Sequence, residues 1–145
     1  MSDGQLERNK DLVRRAWATY DRGDENGFAA CVTKDWVERD SQGGVASLAE
    51  ARESMALQRT AFPDKQTTIV RIVAEGDLVV TQTVTTATHR GEYLGLAPTG
   101  KVVTLHEMLI NRIEGDRIAE SWQLTSYGFY KQLTGKDAKS GDNMT

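Results

Sequence analysis

The sequence predicts an α+β fold in which helices come first and an antiparallel sheet follows. Up to Pro63, apolar residues recur at the i, i+3, i+4, i+7 spacing of amphipathic helices. From Gln66 onward the period changes to two, in segments rich in valine and threonine. Gly76-Asp77 and Gly115-Asp116 are two-residue turns between such segments, the signature of hairpins in a meander.

The first helix is expected over about Asp3 to Arg22, with Leu6, Val13, Ala16, Trp17 and Tyr20 on its apolar face and Gly23 placed to stop it. Asp24 caps a short second helix that carries Phe28, Cys31 and Val32. Asp35 to Asp40 reads as a short strand, and Gly43-Gly44 interrupts the chain. Ser47-Leu48-Ala49-Glu50 is a capping box that opens a third helix, which Pro63 ends. Long strands then follow over Thr67 to Glu75, Leu78 to His89, Val102 to Ile113 and Arg117 to Tyr127. The connection from Arg90 to Lys101 contains Gly91, Gly95, Pro98 and Gly100, and a short helix is expected over Phe129 to Leu133. Residues 1–134 form one domain, and the polar tail 135–145 is expected to be disordered. A sheet curved around helices leaves a cone with an internal cavity, suited to small apolar ligands.

Composition narrows the function. The chain has 145 residues, a net charge of −3 and scattered basic residues, so no stripe exists to follow a nucleic-acid backbone. One cysteine, Cys31, and two histidines, His89 and His106, leave no disulfide and little metal chemistry. No apolar run suggests a membrane span, and the polar start lacks a secretory signal, so a cytoplasmic location is expected. Nucleotide-binding glycine motifs, the GxSxG elbow and HExxH are missing from the sequence.

The final hairpin carries the candidate chemistry. With Glu114 and Arg117 flanking the turn and an unbroken ladder, Glu107 faces Leu124, Leu109 faces Trp122 and Asn111 faces Glu120. One face then collects Leu105, Glu107, Leu109, Ile113, Ile118, Glu120, Trp122 and Leu124 and turns toward the helices. A carboxylate in an apolar cavity has a raised pKa and serves as a general acid or base near neutral pH. Glu107 and Glu120 are therefore the candidate catalytic acids; the competing reading makes each a rim carboxylate that meets an arginine. The opposite face holds His106, Met108, Ile110, Ala119, Ser121 and Gln123, a mixture suited to a sheet-to-sheet contact in a homodimer, or in a tetramer built from dimers. His106 is either an interface residue or an assisting base. Trp17, Tyr20, Trp36 and Trp122 either pack the core or stack on a flat aromatic ligand. His89, Tyr93 and Leu109 complete the expected cavity lining, with His89 at its mouth or at a solvated strand end.

Several segments, in order, resemble the SnoaL-like polyketide cyclase family of the NTF2-like superfamily. They are Asn9-Lys10-Asp11-Leu12-Val13-Arg14-Arg15, Ala61-Phe62-Pro63-Asp64, Ala74-Glu75-Gly76-Asp77, the loop from Thr88-His89-Arg90-Gly91 through Pro98-Thr99-Gly100, and Arg112 to Trp122 with Lys131-Gln132-Leu133. The loop is similar to the family's H-x-G-x-x-x-G-x-x-P-T-G pattern. The resemblance implies an NTF2-like cone and an enzyme without cofactor or metal that acts on a polycyclic aromatic polyketide in a hydrophobic pocket. The family's aldol cyclases use an aspartate on the last long strand and a histidine on the strand before it. Here the corresponding stretches read Ser121-Trp122-Gln123-Leu124 and Met108-Leu109-Ile110, so that pair does not carry over. The departure favours the hydroxylase-type relatives of anthracycline biosynthesis, with a partner reductase as a possible requirement. Intramolecular aldol cyclisation and non-catalytic binding of a small molecule are the alternatives.

Overall fold

The computed structural model describes residues 2–136, so most of the expected disordered tail lies outside the described residues. Helix α1 (Asp3–Asp21) starts where the Ser2 hydroxyl accepts the Gln5 N–H at 3.2 Å, and it buries Leu12, Val13, Ala16 and Tyr20. Asp24 caps α2 (Glu25–Cys31) through the Gly27 N–H at 2.9 Å. Strand β1 (Val32–Arg39) follows directly, then the short β2 (Val45–Ser47) and α3 (Leu48–Ala61), which opens on the expected Ser47–Glu50 capping box. The long strands are β3 (Gln66–Glu75), β4 (Leu78–Thr88), β5 (Val102–Glu114) and β6 (Arg117–Thr125), and α4 (Phe129–Thr134) closes the described chain.

The six strands form one sheet in the order β2-β1-β6-β5-β4-β3. Its four long strands make the antiparallel meander that the Gly-Asp turns imply. The sheet as a whole is mixed rather than antiparallel, because β1 runs parallel to β6. The reason is topological: β1 and β2 pair with each other beside the last strand, and α3 carries the chain across to β3 at the opposite edge.

Alternation fixes the inner face of the meander. Along β5, Val103, Leu105, Glu107, Leu109, Asn111 and Ile113 are buried, and Thr81, Thr83 and Thr85 face the same way from β4. Two apolar clusters fill the cone. One joins α1 and α2 to β1 through edge-to-face contacts of Tyr20 with Phe28 and of Phe28 with Trp36, each with centroids 5.4 Å apart. The other gathers Phe62, Tyr93 and Phe129, with Phe62 stacked on Phe129 at 4.4 Å. Between the clusters the interior is polar.

One irregularity decides the site. Glu114 pairs with Arg117 and Ile113 with Ile118, but Arg112 pairs with Glu120, so Ala119 is an extra residue in β6. Such a bulge reverses every side chain beyond it. The inner face of β6 therefore carries Ile118 and then Ser121, while Glu120, Trp122 and Leu124 turn outward, contrary to the unbroken ladder expected from the sequence.

Candidate functional site

A pocket of about 50 Å³ opens between the N-terminal helices and the inner faces of β1, β5 and β6. Val13, Ala16, Trp17 and Tyr20 come from successive turns of α1, and Phe28 comes from α2. Val32, Trp36 and Glu38 come from β1, Glu107 and Asn111 from β5, and Ile118 and Ser121 from β6. The wall is thus apolar and aromatic on the helical side and at one end of β1. Its polar groups sit on the sheet, the arrangement that binds a flat ligand and orients it by a few fixed groups.

Three of the polar residues lie in one row across the strands. Asn111 pairs with Ser121 on β6, and Ser121 pairs with Glu38 on β1. The Trp36 indole N–H donates to the Ser121 hydroxyl at 3.0 Å, and Ser121 donates to the Asn111 Oδ1 at 2.6 Å. All three of these linked side chains are buried.

The Glu38 side chain has no hydrogen bond or ion pair among the described residues. Burial is the largest influence on it, the negative charges of Glu107 and Asp40 add to this, and its pKa is pushed up to about 8. Glu38 therefore holds its proton to higher pH than an ordinary carboxyl. Glu107 differs: the Thr125 hydroxyl donates to its Oε2 at 3.0 Å, and the Lys65 ammonium attracts it. Lys65 is itself buried, with 6% of its side chain exposed, 4.4 Å from the centroid of the Tyr20 ring. Its Nζ donates to the Gln58 Oε1 at 2.9 Å and lies 3.7 Å from Asp21. Burial lowers its pKa to about 8 although Asp21 and Glu107 oppose the shift. Burial, with Glu38 and Glu107 behind it, drives the Tyr20 hydroxyl well above its usual value, so Tyr20 stays neutral.

Of the residues expected from the sequence, Trp17, Tyr20, Trp36 and Glu107 meet in this pocket. Leu109 is buried on the inner face but does not line it. Glu120 and Trp122 are displaced to the outer face by the Ala119 bulge. There Glu120 accepts from the Arg39 Nε at 2.7 Å and lies 3.6 Å from Arg112, the rim pairing that was the competing reading. His106 alternates outward from Glu107 and is exposed. His89 is at neither a mouth nor a solvated end: it is fully buried. Its Nδ1 accepts the Thr99 N–H at 3.3 Å and lies 3.0 Å from the Thr99 hydroxyl, while its backbone exchanges bonds with Gly100 and Lys101. The histidine and threonine of the loop pattern thus latch the two ends of the loop together. Tyr93 packs edge-on against Phe62 and Phe129 in the second cluster.

Sequence reasoning missed Glu38, Asn111, Ser121 and Lys65. Glu38 was accessible to it, because Trp36 and Glu38 are two apart on one strand and share a face. Asn111 follows in the same way from Glu107. Ser121 was hidden by the bulge, and Lys65 sits in the Pro63-Asp64-Lys65 turn, where no periodicity marks a side chain as buried.

The profile of the SnoaL-like polyketide cyclase family matches residues 10–133. No curated protein matches the chain. Among solved structures, AclR of Streptomyces galilaeus, a proposed hydroxylase, is 28% identical with a TM-score of 0.80 over 92% of this chain and 85% of its own. A proposed polyketide cyclase of Acidithiobacillus ferrooxidans is 25% identical with a TM-score of 0.74, over 94% of this chain and 100% of its own. IdmH of Streptomyces antibioticus, another proposed polyketide cyclase, is 24% identical with a TM-score of 0.71, over 81% and 91% of the two chains, and bears on the fold alone. With a match that spans nearly the whole described chain, this protein belongs to the SnoaL-like polyketide cyclase family.

Proposed function

We propose that this chain is a polyketide-tailoring enzyme that removes a proton from an acidic ring carbon of an anthracycline-type aromatic polyketide and directs hydroxylation at that carbon. The reading is carried by one observation: two glutamates line a single aromatic pocket, Glu107 within the attraction of a buried lysine and Glu38 with no side-chain partner and a raised pKa. Carboxyls with such different surroundings divide into a base and an acid.

A ring carbon beside a ketone or phenol is acidic. Glu107 takes its proton, and the electron pair of the C–H bond moves onto the neighbouring oxygen as an enolate. The enolate carbon then bonds to dioxygen, and the resulting hydroperoxide anion takes the proton of Glu38. Cleavage of the O–O bond to an alcohol and water consumes two electrons and two protons, supplied by a partner reductase. Trp17, Tyr20 and Trp36 hold the ring. The pocket's 50 Å³ is well below the roughly 300 Å³ of a pocket that encloses a whole ligand. Only the reacting edge enters, and the remaining rings stay outside.

The likeness to a proposed cyclase at 25% identity favours a second reading, intramolecular aldol closure. The same enolate would attack a carbonyl of its own molecule, and Glu38 would protonate the new alkoxide. Incubation with anthracycline intermediates and an NADPH-dependent reductase, under air and under nitrogen, separates the readings. An oxygen-dependent gain of one oxygen atom supports hydroxylation. Ring closure under nitrogen replaces it with cyclisation, and binding without turnover identifies a small-molecule-binding module.

A further inference from the structure

The hydrogen-bonded chain from Trp36 through Ser121 to Asn111 restricts which atoms can face the pocket. An indole N–H only donates, so the Ser121 oxygen that receives it at 3.0 Å must be an acceptor. The single hydroxyl proton of Ser121 is then free for its other neighbour, 2.6 Å away. That acceptor is the amide oxygen of Asn111; with the amide reversed, Ser121 would accept from both neighbours and its proton would lose this partner. The orientation of Asn111 is therefore the one that leaves every donor of the chain with an acceptor, starting from an indole that cannot reverse its role. Its N–H2 group turns the other way and finds no partner among the described residues, although Asn111 is 3% exposed and lines the pocket. An N–H2 that opens on the pocket without a protein acceptor is left to water or to an acceptor on a bound molecule, and within an enclosed site the latter bond is the stronger.

We propose that Asn111 is a donor-only subsite for the ketone or enolate oxygen of a bound ring, with Ser121 and Trp36 as the positioning residues that hold its amide in that sense. The assignment rests on the carbon-acid reading above and deepens it: the substrate presents a carbonyl oxygen, and not a hydroxyl proton or an amine, to this end of the pocket. Glu38 stands two strands away in the same row, able to donate its proton to the same ligand.

Equilibrium binding of 1-tetralone and of tetralin, one fused bicyclic frame with and without a ketone, tests the subsite without any turnover. The wild-type protein is expected to bind 1-tetralone about tenfold more tightly than tetralin, the worth of one buried hydrogen bond. The infrared C=O band of bound 1-tetralone is expected to move to lower frequency. Asn111→Leu should abolish both the preference and the band shift. Ser121→Ala should reduce both, because the amide can then reverse, and Ser121→Thr should restore them. Equal binding of the two probes by the wild-type protein overturns the proposal, as does a preference that survives Asn111→Leu. A Ser121→Ala variant identical to wild type in the band shift removes the positioning roles. If Asn111→Leu does not fold, the wild-type band and the Ser121 pair decide. Loss of the turnover reading with the ketone preference intact refutes the enzyme and not the subsite; turnover with no ketone preference refutes the subsite alone.

Discussion

Glu38 and Glu120 lie on neighbouring strands, and what surrounds each carboxyl decides its chemistry. The Glu120 carboxylate sits between Arg39 and Arg112 on the outer face, with the Arg39 side chain 45% exposed. Pairs of that kind contribute about 1 kcal/mol or less. Glu120→Gln is accordingly expected to leave turnover unchanged and to shift a urea midpoint only slightly. Glu38→Gln and Glu107→Gln are each expected to lower turnover about 100-fold, the usual worth of a general acid or base. Glu38 also gives stability a pH dependence. Its folded pKa of about 8 is above its ordinary value of 4.5, so between those limits the folded state holds a proton that the unfolded state has lost. Stability is then greatest at low pH and falls as pH rises through that window, by at most about 1.4 kcal/mol per pH unit. Urea titrations from pH 5 to 8 should show this decline in wild type and a flatter profile in Glu38→Gln, whose amide does not titrate. An unchanged slope in the variant would show that the carboxyl is solvated. Lys65 works against Glu38 only at higher pH: its folded pKa of about 8 lies below 10.5, so its contribution to stability rises from pH 8 upward.

At the scale of elements, the loop between β4 and β5 is held by backbone bonds to α3 as well as by Tyr93 in the second apolar cluster and the His89–Thr99 latch. The N–H groups of Arg90 and Gly91 both donate to the Ala61 carbonyl at the end of α3, at 2.9 and 3.1 Å. This approach has no room for a side chain, because a Cβ on Gly91 would stand 2.4 Å from the Thr60 carbonyl oxygen. Gly91→Ala is expected to cost roughly 1–3 kcal/mol, by forcing α3 and the loop apart. A thermal or urea midpoint equal to wild type would place the glycine outside the latch. The same loop shows how much the sequence disclosed. Its glycines, its histidine and its Thr99 were visible as a pattern, but the pattern did not reveal that His89 would be spent on the latch. The helices were legible because caps and 3.6-residue periods are local, and Asp24 and the Ser47–Glu50 box act where they were expected. The inner face of β5 was legible for the same reason. The inner face of β6 was not, because one unpaired residue, Ala119, exchanges its faces, and neither propensity nor alternation marks that residue. The parallel pairing of β1 with β6 was equally hidden, since it depends on where α3 returns the chain.

For the whole molecule, the outer face of the sheet remains to be explained. Val73 on β3, Met108 and Ile110 on β5 and Leu124 on β6 expose 58, 52, 40 and 57% of their surface, and Trp122 lies among them. Met108 pairs with Leu124 and Ile110 with Trp122, so these apolar residues are continuous across two strands. Isolated exposed apolar residues are ordinary, but a continuous patch on a sheet face marks a contact surface. Its charged border carries both signs, with Glu120 between Arg39 and Arg112 and Glu114 3.5 Å from Arg112, so it calls for no oppositely charged partner. Two-fold association places each such patch against itself, which is the requirement of an isologous interface. We expect a homodimer joined sheet to sheet, with each pocket opening on the helical side away from the contact. Sedimentation of the wild-type protein at micromolar concentration should give twice the chain mass. The Met108→Lys, Ile110→Lys double variant should give one chain mass with an unchanged far-ultraviolet spectrum, because both side chains point away from the core. A wild-type monomer would overturn the expectation. A dimer that survives both lysines would move the contact to another surface, since two buried ammonium groups facing their symmetry mates could not be accommodated there.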